Sequence, residues 1–113
     1  MSSRGHALDL ARSHFDSGGF ACDLARRVAF RTESQDPGGG ARLRAYLDDE
    51  LMPAVLALGF RGAVHDNPVP GAGPLLVATR HEGDALPTVL LYGHGDVIRG
   101  QDASWSRGSG PWT

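Results

Sequence analysis

The stretch Thr88-Val89-Leu90-Leu91-Tyr92-Gly93-His94-Gly95-Asp96-Val97 decides how the rest of the chain is read. Between Val89 and Tyr92 it has no charged or small polar interruption. Alternation of apolar and polar residues marks a strand with one wet face. Unbroken apolarity marks a strand buried on both faces, as at the centre of an α/β sheet. Residues 88–92 are therefore predicted to form a fully buried strand. Gly93 and Gly95 relax the backbone on either side of His94, so strand pairing can end and the imidazole can turn to the sheet edge. The carboxyl ends of strands in such sheets are where ligands and metals collect. His94 is thus the candidate metal ligand, through one ring nitrogen. Asp96 suits a supporting role: a carboxylate that takes the other ring N–H fixes the tautomer and raises ligand basicity. The same His-x-Asp pair also fits a turn that is merely hydrogen-bonded, and spacing alone does not choose between them.

Upstream, two shorter apolar runs read as strands, near 60–65 and at 75–79. The turn formers Glu82-Gly83-Asp84 between 75–79 and 88–92 are compatible with an antiparallel pair. Before the strands come helices. Ala7, Leu8, Leu10, Ala11 and Phe15 give a loose helical period over 7–16, which Asp16-Ser17-Gly18-Gly19 interrupts. A second helix is predicted over 20–30, with Phe20, Leu24 and Val28 on one face. Arg31 to Gly40 reads as a loop. A long helix then starts near Ala41, with Leu43, Leu47, Leu51, Val55 and Leu58 in register. Pro53 should bend it, and Gly59 should cap it. The predicted class is α/β: N-terminal helices followed by three strands. The strand most in need of cover has no helix after it, so residues 1–113 are expected to be the front part of a larger domain.

Of the chain's 113 residues, 11 are basic and 13 acidic, and a net charge of −2 argues against a nucleic-acid surface. Every basic residue is Arg, which removes any lysine Schiff base or phosphate-loop lysine. A single cysteine, Cys22, excludes an internal disulfide and a Cys-rich zinc site, and in its helical pattern it reads as a buried inert thiol. Charges throughout the first thirty residues speak against a secretory signal. The expected location is cytoplasmic, with no membrane partner.

The ordered set of motifs resembles the zinc-dependent superfamily of metallopeptidases and amidohydrolases that includes aminoacylases, acetylornithine deacetylases, succinyl-diaminopimelate desuccinylases, glutamate carboxypeptidases and dipeptidases. The residues that carry the resemblance are Gly93, His94, Asp96, Val97 and Ile98 after the apolar strand, then Trp105 and Pro111-Trp112. Arg31-Thr32-Glu33-Ser34, the stretch Leu56-Ala57-Leu58-Gly59-Phe60 and the strand at 75–79 agree with it in order. The resemblance implies a three-layer α/β/α catalytic domain of which 1–113 is the N-terminal fragment. It implies two zinc ions per active site, with His94 a ligand of one of them and Asp96 the catalytic acid that orients His94. It implies hydrolysis of the amide bond of an N-acyl amino acid, dipeptide or C-terminal residue by a metal-activated water. The partners it implies are a small-molecule or short-peptide substrate and, at full length, a second copy of the chain. The family's bridging aspartate, its Glu-Glu pair and its distal ligands would lie downstream. The 113 residues alone are therefore expected to be inactive, since a catalytic zinc needs about three protein ligands.

Other residues have simpler readings. His6, His14, His65 and His81 are expected at the surface or in local hydrogen bonds. Asp48-Asp49-Glu50 reads as a solvated helix face behind Arg42 and Arg44. Gly38-Gly39-Gly40 lacks the strand and lysine of a phosphate loop and reads as a linker. Trp105 and Trp112 are expected to anchor the last loop, and Arg99 and Arg107 could face a substrate carboxylate. The rival function is a small non-catalytic α/β binding or interaction module. A serine hydrolase lacks its Gly-x-Ser-x-Gly elbow here.

Overall fold

The computed structural model describes residues 3–106 and 108–113. Helix α1 (Ser3–Asp16) and helix α2 (Gly19–Val28) form a hairpin at the N-terminus. The reversal needs Gly18, whose φ of +83° is a left-handed conformation that side chains disfavour. Phe15 and Phe20 close the turn with ring centroids 5.8 Å apart. Helix α1 starts four residues earlier than its apolar period indicates. Polar Arg4, Gly5 and His6 extend the backbone ladder without joining an apolar face.

The predicted long helix is present, but Pro53 changes its form rather than simply bending it. Helix α3 (Gly40–Ala45) passes into a π-helical turn (Tyr46–Leu51) and then into helix α4 (Met52–Ala57). Proline has no N–H to give the carbonyl four residues back, and its ring crowds that carbonyl. A wider turn just before the proline accommodates both problems. Helix α4 ends as predicted. Gly59 takes φ +83°, its N–H reaches the Leu56 carbonyl, and the Phe60 N–H reaches that of Val55. This is the paired C-terminal closure that glycine permits.

Strand β1 (Arg61–His65) pairs antiparallel with strand β2 (Leu75–Thr79), with Arg61 opposite Thr79 and His65 opposite Leu75. Helix α4 and the hairpin meet where Met52 Sδ lies against Gly62; a Cβ there would come within 3.2 Å of the sulfur. The mixed α/β class is therefore correct, with two strands in the sheet.

The third expected strand is a correction. Residues 88–92 join no ladder, and Val89, Leu90, Leu91 and Tyr92 are 74–93% exposed. A strand apolar on both faces needs neighbours along both edges and a layer on each side. The two-stranded hairpin satisfies its own inner edge and offers residues 88–92 no cover. Consistently, no hydrophobic residue among those described is buried; apart from Gly39, only Thr32, Glu33 and Glu50 are, at 4%, 8% and 7% exposure. The accessible surface is 8962 Å², against about 6,000 Å² for a compact monomer of this mass. The radius of gyration is 17.0 Å, against about 13 Å for a compact domain of this length. Cys22 is exposed rather than buried, for the same reason: the apolar residues beside it on α2, Phe20 and Leu24, also have no layer over them. No helix among the described residues is long and apolar enough to cross a membrane.

Glu50 is a second correction. It does not sit on a solvated face. Its Oε2 accepts from Arg26 Nε at 2.9 Å, and its Oε1 accepts from Arg26 Nη2 at 3.1 Å and Arg27 Nε at 3.2 Å. Arg26 also reaches Asp23, which accepts from His14 on α1. The network ties the N-terminal hairpin to the π turn. The Arg26 guanidinium holds the Glu50 carboxyl below its ordinary range. A depressed carboxyl stabilises the fold in full above its unfolded value, near 4.5, and loses that contribution as pH falls through the lower folded value. Glu50→Gln is expected to remove this acid-dependent step and to weaken the hairpin's attachment by about 1–2 kcal/mol, discounted because the arginines are half exposed. Hydrogen-exchange protection of 19–28, corrected for the intrinsic rate between pH 3 and 6, checks both; protection that does not change with pH in the wild type would contradict the assignment.

A candidate metal-ligand site at His94

The site is built where two distant loops meet. Val97 N–H donates to the Thr32 carbonyl at 2.9 Å, and Ser34 N–H donates to the Val97 carbonyl at 3.1 Å. This single parallel bridge between Glu33 and Val97 clamps the 32–34 loop to the segment carrying His94 and Asp96. Glu33 lies under the bridge. Its Oε1 accepts from Gly100 N–H at 2.8 Å, and its Oε2 faces Arg31 Nη2 at 3.3 Å. The contact between Glu33 and Gly100 spans 67 residues of chain, so it fixes the two loops relative to each other.

His94 is largely exposed, with its Nδ1 turned back onto Asp96. Nδ1 is 3.0 Å from the Asp96 backbone oxygen and 3.2 Å from Oδ1. Both neighbours are acceptors, so Nδ1 carries the proton and donates it. The lone pair then sits on Nε2, the nitrogen a metal would use. Asp96 is kept ionised for that role. The Ser34 hydroxyl hydrogen bond, first among its causes, and the adjacent imidazole hold its carboxyl below the usual range. His94 and Asp96 are thus hydrogen-bonded to each other.

Gly95 is required by a neighbour that sequence reading does not disclose. The Tyr46 ring, from the π turn, lies so close that a Cβ at Gly95 would come 2.5 Å from Cε1. Phe30 meets the same ring edge-on at 5.5 Å. Burial of the Tyr46 phenol raises its pKa above the ordinary value. Gly95→Ala must displace the ring or the 93–97 segment. The expected cost is about 1–3 kcal/mol, with a weakened Nδ1–Asp96 bond. A denaturant midpoint unchanged from wild type would contradict this contact.

Beyond Val97 the chain folds back over the 31–34 loop. Trp105 Nε1 donates to the Gly100 carbonyl at 2.8 Å, and the Trp112 ring lies where a Gly100 Cβ would come within 2.6 Å. Arg31 stacks on Trp112 with its guanidinium carbon 5.2 Å from the ring centroid. Both tryptophans therefore pack the loop beyond the site. Arg99 borders a cleft beside Arg31 and Glu33; Arg107 lies outside the described residues.

The remaining histidines do not join the site. His14 bonds Asp23 at 3.0 Å, His81 faces Asp84 at 3.1 Å, and His65 ends β1. Among the described residues no three His, Cys, Asp or Glu side chains converge to hold a metal ion. The donor chemistry of His94 and Asp96 fits one zinc ligand with its orienting carboxylate. It does not amount to a site, which needs about three protein ligands. The residues missed in the sequence are Thr32, Glu33, Ser34 and Tyr46. The first three stand in the motif-bearing loop, but nothing local says that this loop bridges to Val97. No protein-family model, no curated protein and no solved structure matches the chain.

Proposed function

We propose that this chain is the N-terminal part of a dinuclear zinc hydrolase that cleaves amide or peptide bonds. In that reading His94 ligates one zinc through Nε2, and Asp96 orients and charges the imidazole from the Nδ1 side. The remaining donors and the general base come from sequence beyond these residues. The observation that carries the reading is the placement of His94 Nδ1 within hydrogen-bond distance of two Asp96 oxygens, which leaves Nε2 as the nitrogen for a metal at the end of an apolar segment. When bound, paired zinc ions supply a water acidified enough to attack an amide carbonyl. The chain's own residues hold the ligand in its tautomer, keep the 93–97 segment against Tyr46, and lock that segment to the 32–34 loop. The substrates proposed are N-acyl amino acids, dipeptides or C-terminal peptide residues, and the assembly a homodimer at full length.

Metal analysis of the full-length protein and its His94→Ala variant, alongside hydrolysis of N-acyl amino acids, tests the reading. Zinc and hydrolysis that both survive the substitution would overturn it and favour a binding module.

A further inference from the structure

We propose that the cleft between the 31–37 loop and the 99–101 segment binds a carboxylate, with Arg99 making the ionic contact. The cleft measures about 410 Å³ and is lined by Arg31, Glu33, Gln35, Asp36, Arg99 and Gln101. That volume is within the range of small-ligand sites. The lining is neutral overall, Arg31 and Arg99 against Glu33 and Asp36, and each of these side chains but Arg99 has a partner among the described residues. Glu33 is taken up by Gly100 N–H and Arg31. Asp36 accepts from Gly38 N–H and from Arg42. Arg31 is shared between Glu33 and Asp102 and sits over the Trp112 ring. Arg99 has no hydrogen bond or ion pair among the described residues. Arg31 is divided between two carboxylates, so the cleft carries no excess positive charge; what singles out Arg99 is that its guanidinium has no partner among the described residues.

A single planar guanidinium matches a singly charged carboxylate through two parallel hydrogen bonds. A phosphate dianion would call for a second free cation, which the lining does not offer. The amides of Gln35 and Gln101 add neutral donors. Gln101 has φ +52°, a left-handed backbone rare for a residue with a side chain, held by the Ser104 N–H on its carbonyl at 2.8 Å. Such strain concentrates where a segment is shaped for a ligand.

The two walls of the cleft are the segments joined at Thr32, Ser34 and Val97. Arg99 follows His94 by five residues, at most about 18 Å of extended chain. If the hydrolase reading holds, on which this last step rests, the bound carboxylate belongs to a substrate that carries an acidic group away from the bond cleaved.

The test is a titration of the full-length protein with glutarate at constant ionic strength, read from the arginine Nε–H resonances. The Arg99 signal should shift saturably. Arg99→Gln should bind glutarate at least tenfold more weakly with an unchanged circular dichroism spectrum, and Arg99→Lys should fall between. Inorganic phosphate should bind no tighter than glutarate. An Arg99 signal indifferent to glutarate, or an Arg99→Gln variant that binds it as wild type does, overturns the proposal; tighter phosphate binding overturns the carboxylate assignment. The two readings fail separately. Glutarate bound at Arg99 in a protein without hydrolysis removes the hydrolase and keeps the cleft. Hydrolysis that needs His94, with the same KM for acidic and neutral substrates in wild type and Arg99→Gln, removes the cleft and keeps the hydrolase.

Discussion

On the proposed hydrolase reading, replacing His94 with Ala in the full-length protein is expected to reduce hydrolysis to the blank rate and to remove one of two zinc ions. The size of the effect follows from coordination. Catalytic zinc is held by about three protein ligands and a water, so losing one ligand leaves an ion that exchanges into solvent. Asp96→Asn tests the supporting half of the arrangement. The amide preserves shape but no longer charges the imidazole, and its NH₂ can turn toward Nδ1. The expected loss is about 10–100-fold in zinc affinity. Ser34→Ala acts one step further out. Its hydroxyl is the first cause of the depressed Asp96 carboxyl, so its loss should move the acid limb of the pH profile upward. Isothermal titration with zinc and pH–rate profiles of the three variants rank these effects. Equal zinc affinity for Asp96→Asn and wild type would contradict the role given to Asp96.

The second large effect concerns the apolar segment at 89–92. Purified alone at tens of micromolar, the 113-residue chain is expected to self-associate and to bind a hydrophobic dye. Four large side chains stand 74–93% exposed, and fully burying each contributes about 1.5–3 kcal/mol. Together that is a drive of about 6–12 kcal/mol toward any surface that covers them. An open, apolar, extended segment is also a template for strand addition. Leu90→Glu combined with Leu91→Glu should return the chain to monomer and abolish dye binding. If the proposed reading holds and the chain is the N-terminal part of a longer hydrolase, the amides of 89–92 should be among the slowest to exchange in the full-length protein. A monodisperse wild-type chain that melts cooperatively, or fast exchange of 89–92 at full length, would contradict this account.

Local features were legible in the sequence, and long-range pairings were not. Strand β2 was readable from Leu75 to Thr79 because its β-branched, apolar run is bounded by Pro74 and Arg80. The helix end at Gly59 was readable because one residue type suits a left-handed closure. Pro53 announced a disturbance, but proline fixes only where a helix fails, not whether a kink or a π turn absorbs it. Residues 88–92 were read for the cover they require, and the described chain does not contain that cover. Glu50 was misread because an acidic run looks solvated until a second helix brings Arg26 and Arg27 over it. The contact between His94 and Asp96 was legible since both lie in one short segment. The Thr32–Val97 bridge and the Tyr46–Gly95 contact were not, because each joins residues about 50 or more positions apart.

The central claim is that the His94 proton sits on Nδ1 and that Nε2 is the metal-binding nitrogen. The ¹⁵N resonances of the His94 ring in the full-length protein, without and with zinc, test it most directly. The account predicts, for the neutral ring of the metal-free protein, a protonated Nδ1 and an unprotonated Nε2, with zinc moving the Nε2 resonance alone to a bound position. A proton on Nε2, or a ring whose two nitrogens ignore zinc, would contradict it.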